Sequence, residues 1–141
     1  MSDHSMIDDI IANDPEMLES FVKESKDCLS IAESDLKYLL THTKDPEPER
    51  LESAFRSVHS LKSAAGFLGL GNVAELALNM EKLLGNIRSG TLSSDVRNLN
   101  PLLKGLEVLN AMLQNITASS KIETKPILAL LSERMPSNDV E

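Results

Sequence analysis

Apolar residues recur along most of this chain at intervals of three and four, the spacing of one face of a helix, and the runs break at proline, glycine and short polar clusters. Leu18, Phe21, Ser25, Cys28, Leu29, Ala32, Leu36 and Leu39 predict a first helix from about Pro15 to Leu40. Its start is signalled by Asp14-Pro15-Glu16: Asp14 can cap, Pro15 suits the first helical position, and Glu16 favours the positive end of the dipole. Pro46 and Pro48 end the connection that begins at Thr41 and open a second helix, whose stripe is Leu51, Ala54, Phe55, Val58, Leu61, Ala65 and Leu68.

Gly66, Gly69 and Gly71 punctuate a tight turn, and Asn72-Val73-Ala74-Glu75 has the form of a reciprocal cap at the start of a third helix. That helix runs to about Ser89, with Val73, Leu76, Ala77, Met80, Leu83, Leu84 and Ile87 on its buried face and Gly90 ending it. Ser93-Ser94-Asp95 can cap a fourth helix with the stripe Val96, Leu99, Leu102, Leu103, Leu106, Leu109, Leu113 and Ile116. Pro101 falls inside it and predicts either a kink or a true first turn after Asn100. Thr117 to Ser120 reads as a loop, and Thr124-Lys125-Pro126 opens a final helix to about Arg134 that docks through Ile127, Leu128, Leu130 and Leu131. At the other end, Ile7, Ile10 and Ile11 predict a short turn packed on the bundle.

Short connections make sequential helices antiparallel neighbours, so the expected fold is all-α: an antiparallel four-helix bundle with an additional C-terminal helix. Composition agrees. Aromatic residues make up only 3% of the 141, there is no Trp, and strand-like alternation is missing, which leaves Leu, Ile, Val, Ala and Met to fill the core. Residues 1–135 read as one domain and 136–141, polar and without helical periodicity, as the start of a linker.

A net charge of −8 argues against a nucleic-acid partner, which requires clustered Lys and Arg, and favours a partner with a basic or mixed surface. The chain opens without a basic segment and an apolar core of signal type, and no run of about 18 apolar residues occurs, so the expectation is a cytoplasmic protein with no membrane insertion. Cys28, the sole cysteine, reads as a small core residue in a reducing compartment. The chain has no phosphate-cradling glycine loop, and His4, His42 and His59 share no metal-ligand spacing with one another or with Cys28. Neither ATP nor a metal ion is expected to bind this chain. His42, beside the connection after the first helix, reads as a plain surface residue.

Chemistry concentrates on the second helix. His59 lies roughly 130° from the centre of its apolar stripe, with Lys62, Ser63 and Gly66 on its side at i+3, i+4 and i+7. An exposed neutral imidazole offers a nitrogen lone pair, and phosphoryl transfer asks chiefly for an in-line approach and for offset charge, which Lys62 can supply. A solvated surface histidine is the commoner reading of the same pattern, since a histidine with a lysine at i+3 occurs widely. On the third helix Glu81 occupies a flank about 100° from the stripe. It and His59 both stand roughly 11 positions from Leu70, so in an antiparallel pair the carboxylate can face the imidazole. Accepting from Nδ1–H, it would fix the tautomer and point Nε2 outward.

His59-Ser60-Leu61-Lys62 followed by small residues, Gly66 and Gly69, together with Met80-Glu81-Lys82-Leu83-Leu84 and Ile87-Arg88-Ser89-Gly90, resembles the phosphoacceptor segment of histidine phosphotransfer (HPt) domains, and is most similar to the N-terminal phosphotransfer domain of CheA-type chemotaxis histidine kinases. In outline the resemblance runs from about Phe21 to about Leu131. It departs at Ser63, where the family usually has glycine, and at Leu78, where relatives can carry another histidine.

The resemblance implies a phosphorelay carrier in two-component signalling: His59 as phosphoacceptor, Lys62 and Glu81 as its supporting residues, and Ser63, Gly66, Phe67 and Leu78 at the rim of a partner-docking face. The implied partners are a histidine kinase catalytic domain, which brings ATP, and a response regulator receiver domain, which brings Mg²⁺ and the receiving aspartate. On this reading residues 1–135 are the phosphotransfer domain of a larger kinase, itself without an ATP site. A stand-alone carrier, or a passive helical adaptor with no covalent chemistry, are the alternatives.

Overall fold

A computed structural model of the chain describes residues 14–136. The predicted turn at Ile7, Ile10 and Ile11, as well as His4 and the tail from Ser137, lie outside the described residues. Within them the chain forms α1 (Pro15–Leu40), α2 (Pro48–Phe67), α3 (Gly71–Arg88), α4 (Val96–Gln114), a 3₁₀-helix (Ile116–Lys121) and α5 (Lys125–Arg134). Helices α1 to α4 pack in a ring, each against the next and α4 back against α1, while α5 lies across α3 and α4. This is the expected antiparallel bundle with its extra helix. No described helix is long and apolar enough to cross a membrane.

The largest fully buried side chains are all leucine or methionine, with Val, Ala, Ile and Phe21 filling the rest of the core. Leu36, Leu39, Leu61, Leu76, Met80, Leu83, Leu84, Leu99, Leu102, Leu109, Met112 and Leu131 are all fully buried. At about 1.5–3 kcal/mol for each such side chain, this burial is the main favourable contribution to folding. Cys28 departs from expectation: it is only half-buried, and burial, then the charges of Asp27 and Glu24, push its thiol above the ordinary range. Val96 is also exposed, because as the first residue of α4 it projects before the helix meets its neighbours.

Caps set the rotation of the helices. Asp14 accepts from Met17 N at 3.0 Å at the start of α1. Between α2 and α3 the predicted Asn72 cap does not form. Instead Gly69, at φ 76°, ends α2 in a Schellman turn, with Gly69 N bonded to Gly66 O and Leu70 N to Ala65 O. Leu70 O then accepts from Ala74 N, so α3 begins at Gly71 directly from that turn. Asn72, already inside the helix, sends its amide to Ser120 O at 3.1 Å. The segment expected as a loop is thus a 3₁₀-helix tied to α3.

Pro101 lies inside α4 without delaying its start: Asp95 caps from Val96 onward, accepting from Asn98 N at 3.2 Å. Buried Asn98 braces this first turn, donating to Ser93 O at 2.8 Å and accepting from Arg134 Nε on α5 at 3.1 Å. Two further contacts fix the helices against one another. Met80 fills the space beside Gly105 of α4, where a Cβ would stand 2.7 Å from its Sδ. On α1, buried Asp35 takes Arg50 Nη1 of α2 at 3.0 Å. Exposed His42 stacks on Tyr38, ring centroids 3.8 Å apart, with Nδ1 2.8 Å from Tyr38 O at the end of α1.

Candidate functional site

Because the turn between α2 and α3 is so short, these helices run side by side and bring His59 and Glu81 to the same level. His59 Nδ1 stands 2.6 Å from Glu81 Oε2. Lys62 Nζ, one turn along α2, lies 2.9 Å from the other oxygen, Oε1, as a close charge contact whose angle falls short of a directed hydrogen bond. The three predicted residues therefore form one cluster, with the carboxylate between an imidazole and an ammonium.

Exposure separates their roles. The His59 side chain is 50% exposed, whereas Glu81 is 13% and Lys62 26%, so the ring projects from a support that is itself mostly covered. Burial alone would raise the Glu81 carboxyl, but the contacts from Lys62 and then His59 outweigh it and hold the group below its ordinary value. An ionised carboxylate accepts only, so Nδ1 carries the ring proton toward it and Nε2 keeps the lone pair. Among the described residues Nε2 has no hydrogen-bond partner. The arrangement presents a nucleophilic nitrogen of defined tautomer at the surface.

The residues expected at the rim do not form one cluster. Ser63 and Gly66 are exposed on the His59 side of α2, and a Cβ at position 66 would meet nothing within 4 Å, so the space above it is open. Leu78, 37% exposed, flanks Glu81 one turn earlier on α3. Phe67 is 77% exposed but turns toward α1, over a groove of about 240 Å³ lined with Met17, Ser20, Phe21, Glu24, Ala64 and Leu68.

Sequence reasoning missed a second set of contacts. Phe55, assigned to the buried stripe, is half-buried and stacks on His59, with centroids 6.1 Å apart and planes 11° from parallel. Arg88, at the end of α3, places its guanidinium carbon 3.8 Å from the centroid of Phe55, while Nη1 bonds Glu52 at 3.1 Å. The available signal was that Phe55 stands one turn before His59; nothing in the sequence pairs Arg88 with Phe55.

Among the described residues no group of three or more His, Cys, Asp or Glu side chains is placed to hold a metal ion.

The family model of the Hpt domain matches residues 16–119. Among curated proteins, the chemotaxis protein CheA of Rhizobium meliloti is 34% identical over 94 residues, covering 67% of this chain and 12% of that protein. CheA of Bacillus subtilis is 32% identical over 100 residues, 70% of this chain and 14% of its own length. CheA of Halobacterium salinarum is 26% identical over 125 residues, 88% and 18% respectively. The chain thus spans only a small part of the curated relatives it matches. Among solved structures, the phosphorylated P1 domain of CheA3 in complex with CheY6 from R. sphaeroides superposes with a TM-score of 0.73 at 25% identity, covering 84% of this chain and 94% of that one. With the family model extending over most of its length and the imidazole–carboxylate pair in place, the chain belongs to the Hpt domain family.

Proposed function

We propose that this domain is a phosphorelay carrier whose acceptor is His59. The observation that carries the reading is a half-exposed imidazole with Nδ1 tied to Glu81 and Nε2 left open. Nε2 attacks the γ-phosphorus of ATP held by a histidine kinase catalytic domain; the N–P bond forms, the bond to the bridging oxygen breaks, and ADP leaves. An aspartate oxygen of a response-regulator receiver domain then attacks the same phosphorus, and the imidazole departs. Glu81 stabilises the positive charge that the ring gains while Nε2 is bonded to phosphorus. Lys62, a cation one turn from His59, offsets charge on the phosphoryl oxygens.

ATP and Mg²⁺ belong to the partner domains on this reading. The parent is a chemotaxis kinase of CheA type, supported by its CheA relatives and by the neighbour whose P1 domain is phosphorylated and bound to CheY6. Since the donor is ATP, the relay works in the cytoplasm. Ser63, Gly66 and Leu78 rim the docking face for the receiver beside His59, Gly66 with open space above it and Leu78 as an exposed apolar contact, while Phe67 extends that face over the groove against α1.

The test is phosphate uptake with a CheA-type kinase core and ATP. Acid-labile, alkali-stable phosphate should appear in the wild type and vanish in His59→Gln while the helical signal persists. Undiminished uptake in that variant would overturn the assignment.

A further inference from the structure

We infer that Phe55 and Arg88 form a brace that sets the plane of the His59 ring, and so are positioning residues for the transfer reaction; this rests on the reading of His59 as the phosphoacceptor. The hydrogen bond to Glu81 fixes one ring atom. The ring turns about two bonds, Cα–Cβ and Cβ–Cγ, and one hydrogen bond at Nδ1 leaves a coupled rotation of the two that carries Nε2 off the axis of attack. In-line phosphoryl transfer tolerates little of that, because a reacting group has to stay within roughly 10–20° of its productive orientation.

Phe55 supplies the missing constraint. Its ring lies almost parallel to the imidazole, planes 11° apart and centroids at 6.1 Å, within the range of offset aromatic stacking. Phe55 is itself held. Its Cε1 would be 3.6 Å from a Cβ at position 85, so at Gly85 it packs directly on the α3 backbone. Arg88 covers the ring at 3.8 Å, and Glu52 anchors that guanidinium at 3.1 Å. A planar cation over an aromatic face is attractive and directional, so Arg88 presses Phe55 into place from the α3 side while Glu52 fixes it from α2. The imidazole is therefore held at Nδ1 by Glu81 and flanked by the offset, near-parallel ring of Phe55.

The experiment compares wild type, Phe55→Leu, Phe55→Tyr and Arg88→Ala, all first verified as folded by thermal melting. Two measurements are made on each: the order parameter of the His59 ring from carbon relaxation, and kcat and KM for phosphorylation by the kinase core with ATP. Phe55→Leu and Arg88→Ala should lower the order parameter and reduce kcat by about tenfold with KM nearly unchanged. Phe55→Tyr, which keeps the ring, should restore both. A rigid ring and normal kcat in Phe55→Leu would overturn the brace, as would equal losses in Phe55→Tyr. A raised KM with intact kcat would also overturn it, placing these residues on the docking surface instead. Should the wild type take up no phosphate on His59, the carrier reading fails, while the ring order parameter still decides whether the brace exists.

Discussion

Lys62 turns toward Glu81, with Nζ 2.9 Å from Oε1 on the side of the carboxylate away from His59's oxygen. The ammonium therefore acts first on the group that holds the imidazole, keeping it ionised despite burial. Lys62→Met should raise the Glu81 pKa, observable from its side-chain carboxyl carbon by NMR titration. An unmoved titration would mean that the contact does not persist in solution.

The same shift sets the sign of a pH effect. A carboxyl lowered in the folded state contributes stability that is fully present above its ordinary value of 4.5 and is lost as pH falls through the lower folded value. The stability difference between wild type and Glu81→Gln should hold steady above pH 4.5 and shrink as pH falls from there through the lower folded value. Denaturant melts across the acid range measure this, and a difference that grows on acidification would contradict the assignment.

Removing the carboxylate tests its chemical part. Glu81→Ala should slow phosphorylation by about 10–100-fold, the usual effect of losing a residue that orients a histidine. Stability should fall by only about 1 kcal/mol, the net worth of one hydrogen bond. Nitrogen shifts of the His59 ring should show a mixture of tautomers where the wild type shows one. A single Nδ1–H tautomer in the variant would remove Glu81 from its role.

Much of this was legible in the sequence, for a physical reason. Helical spacing marks which face is buried, and an antiparallel pair with a tight turn aligns residues equidistant from it, so the meeting of His59 and Glu81 followed from counting. What spacing does not encode is competition between partners. Asn72 loses its capping role because Leu70 closes α2 and opens α3 at once. Pro101 stays inside α4 because Asp95 and Asn98 hold the turn before it. Phe55 belongs to the apolar stripe by angle, yet its ring is large enough to reach around to His59, and no pattern of types announces that Arg88 covers it.

The packing that orients Glu81 is testable at a distance from the site. In Gly105→Ala the new methyl group would stand 2.7 Å from Met80 Sδ, in a core where Met80 is fully buried. Overpacking of this kind costs about 1–3 kcal/mol, more than the ~1 kcal/mol that alanine gains over glycine in helix propensity. The variant should melt at a lower temperature than the wild type. Unchanged or raised stability would show that Met80 repacks freely.

Phe67 offers the opposite contrast. At 77% exposure its replacement by alanine should leave stability within about 0.5 kcal/mol, the range of ordinary surface substitutions. Transfer from phosphorylated domain to the receiver should show a raised KM and an intact rate at saturation, as for a residue that only docks. A normal KM would take Phe67 off the docking face.

The most direct measurement is on the phosphorylated domain itself. After incubation with kinase core and ATP, phosphorus–nitrogen couplings in the labelled protein should locate the phosphoryl group on Nε2 of His59, with Nδ1 still protonated and facing Glu81. Coupling to Nδ1, or phosphate on any other residue, would contradict the account.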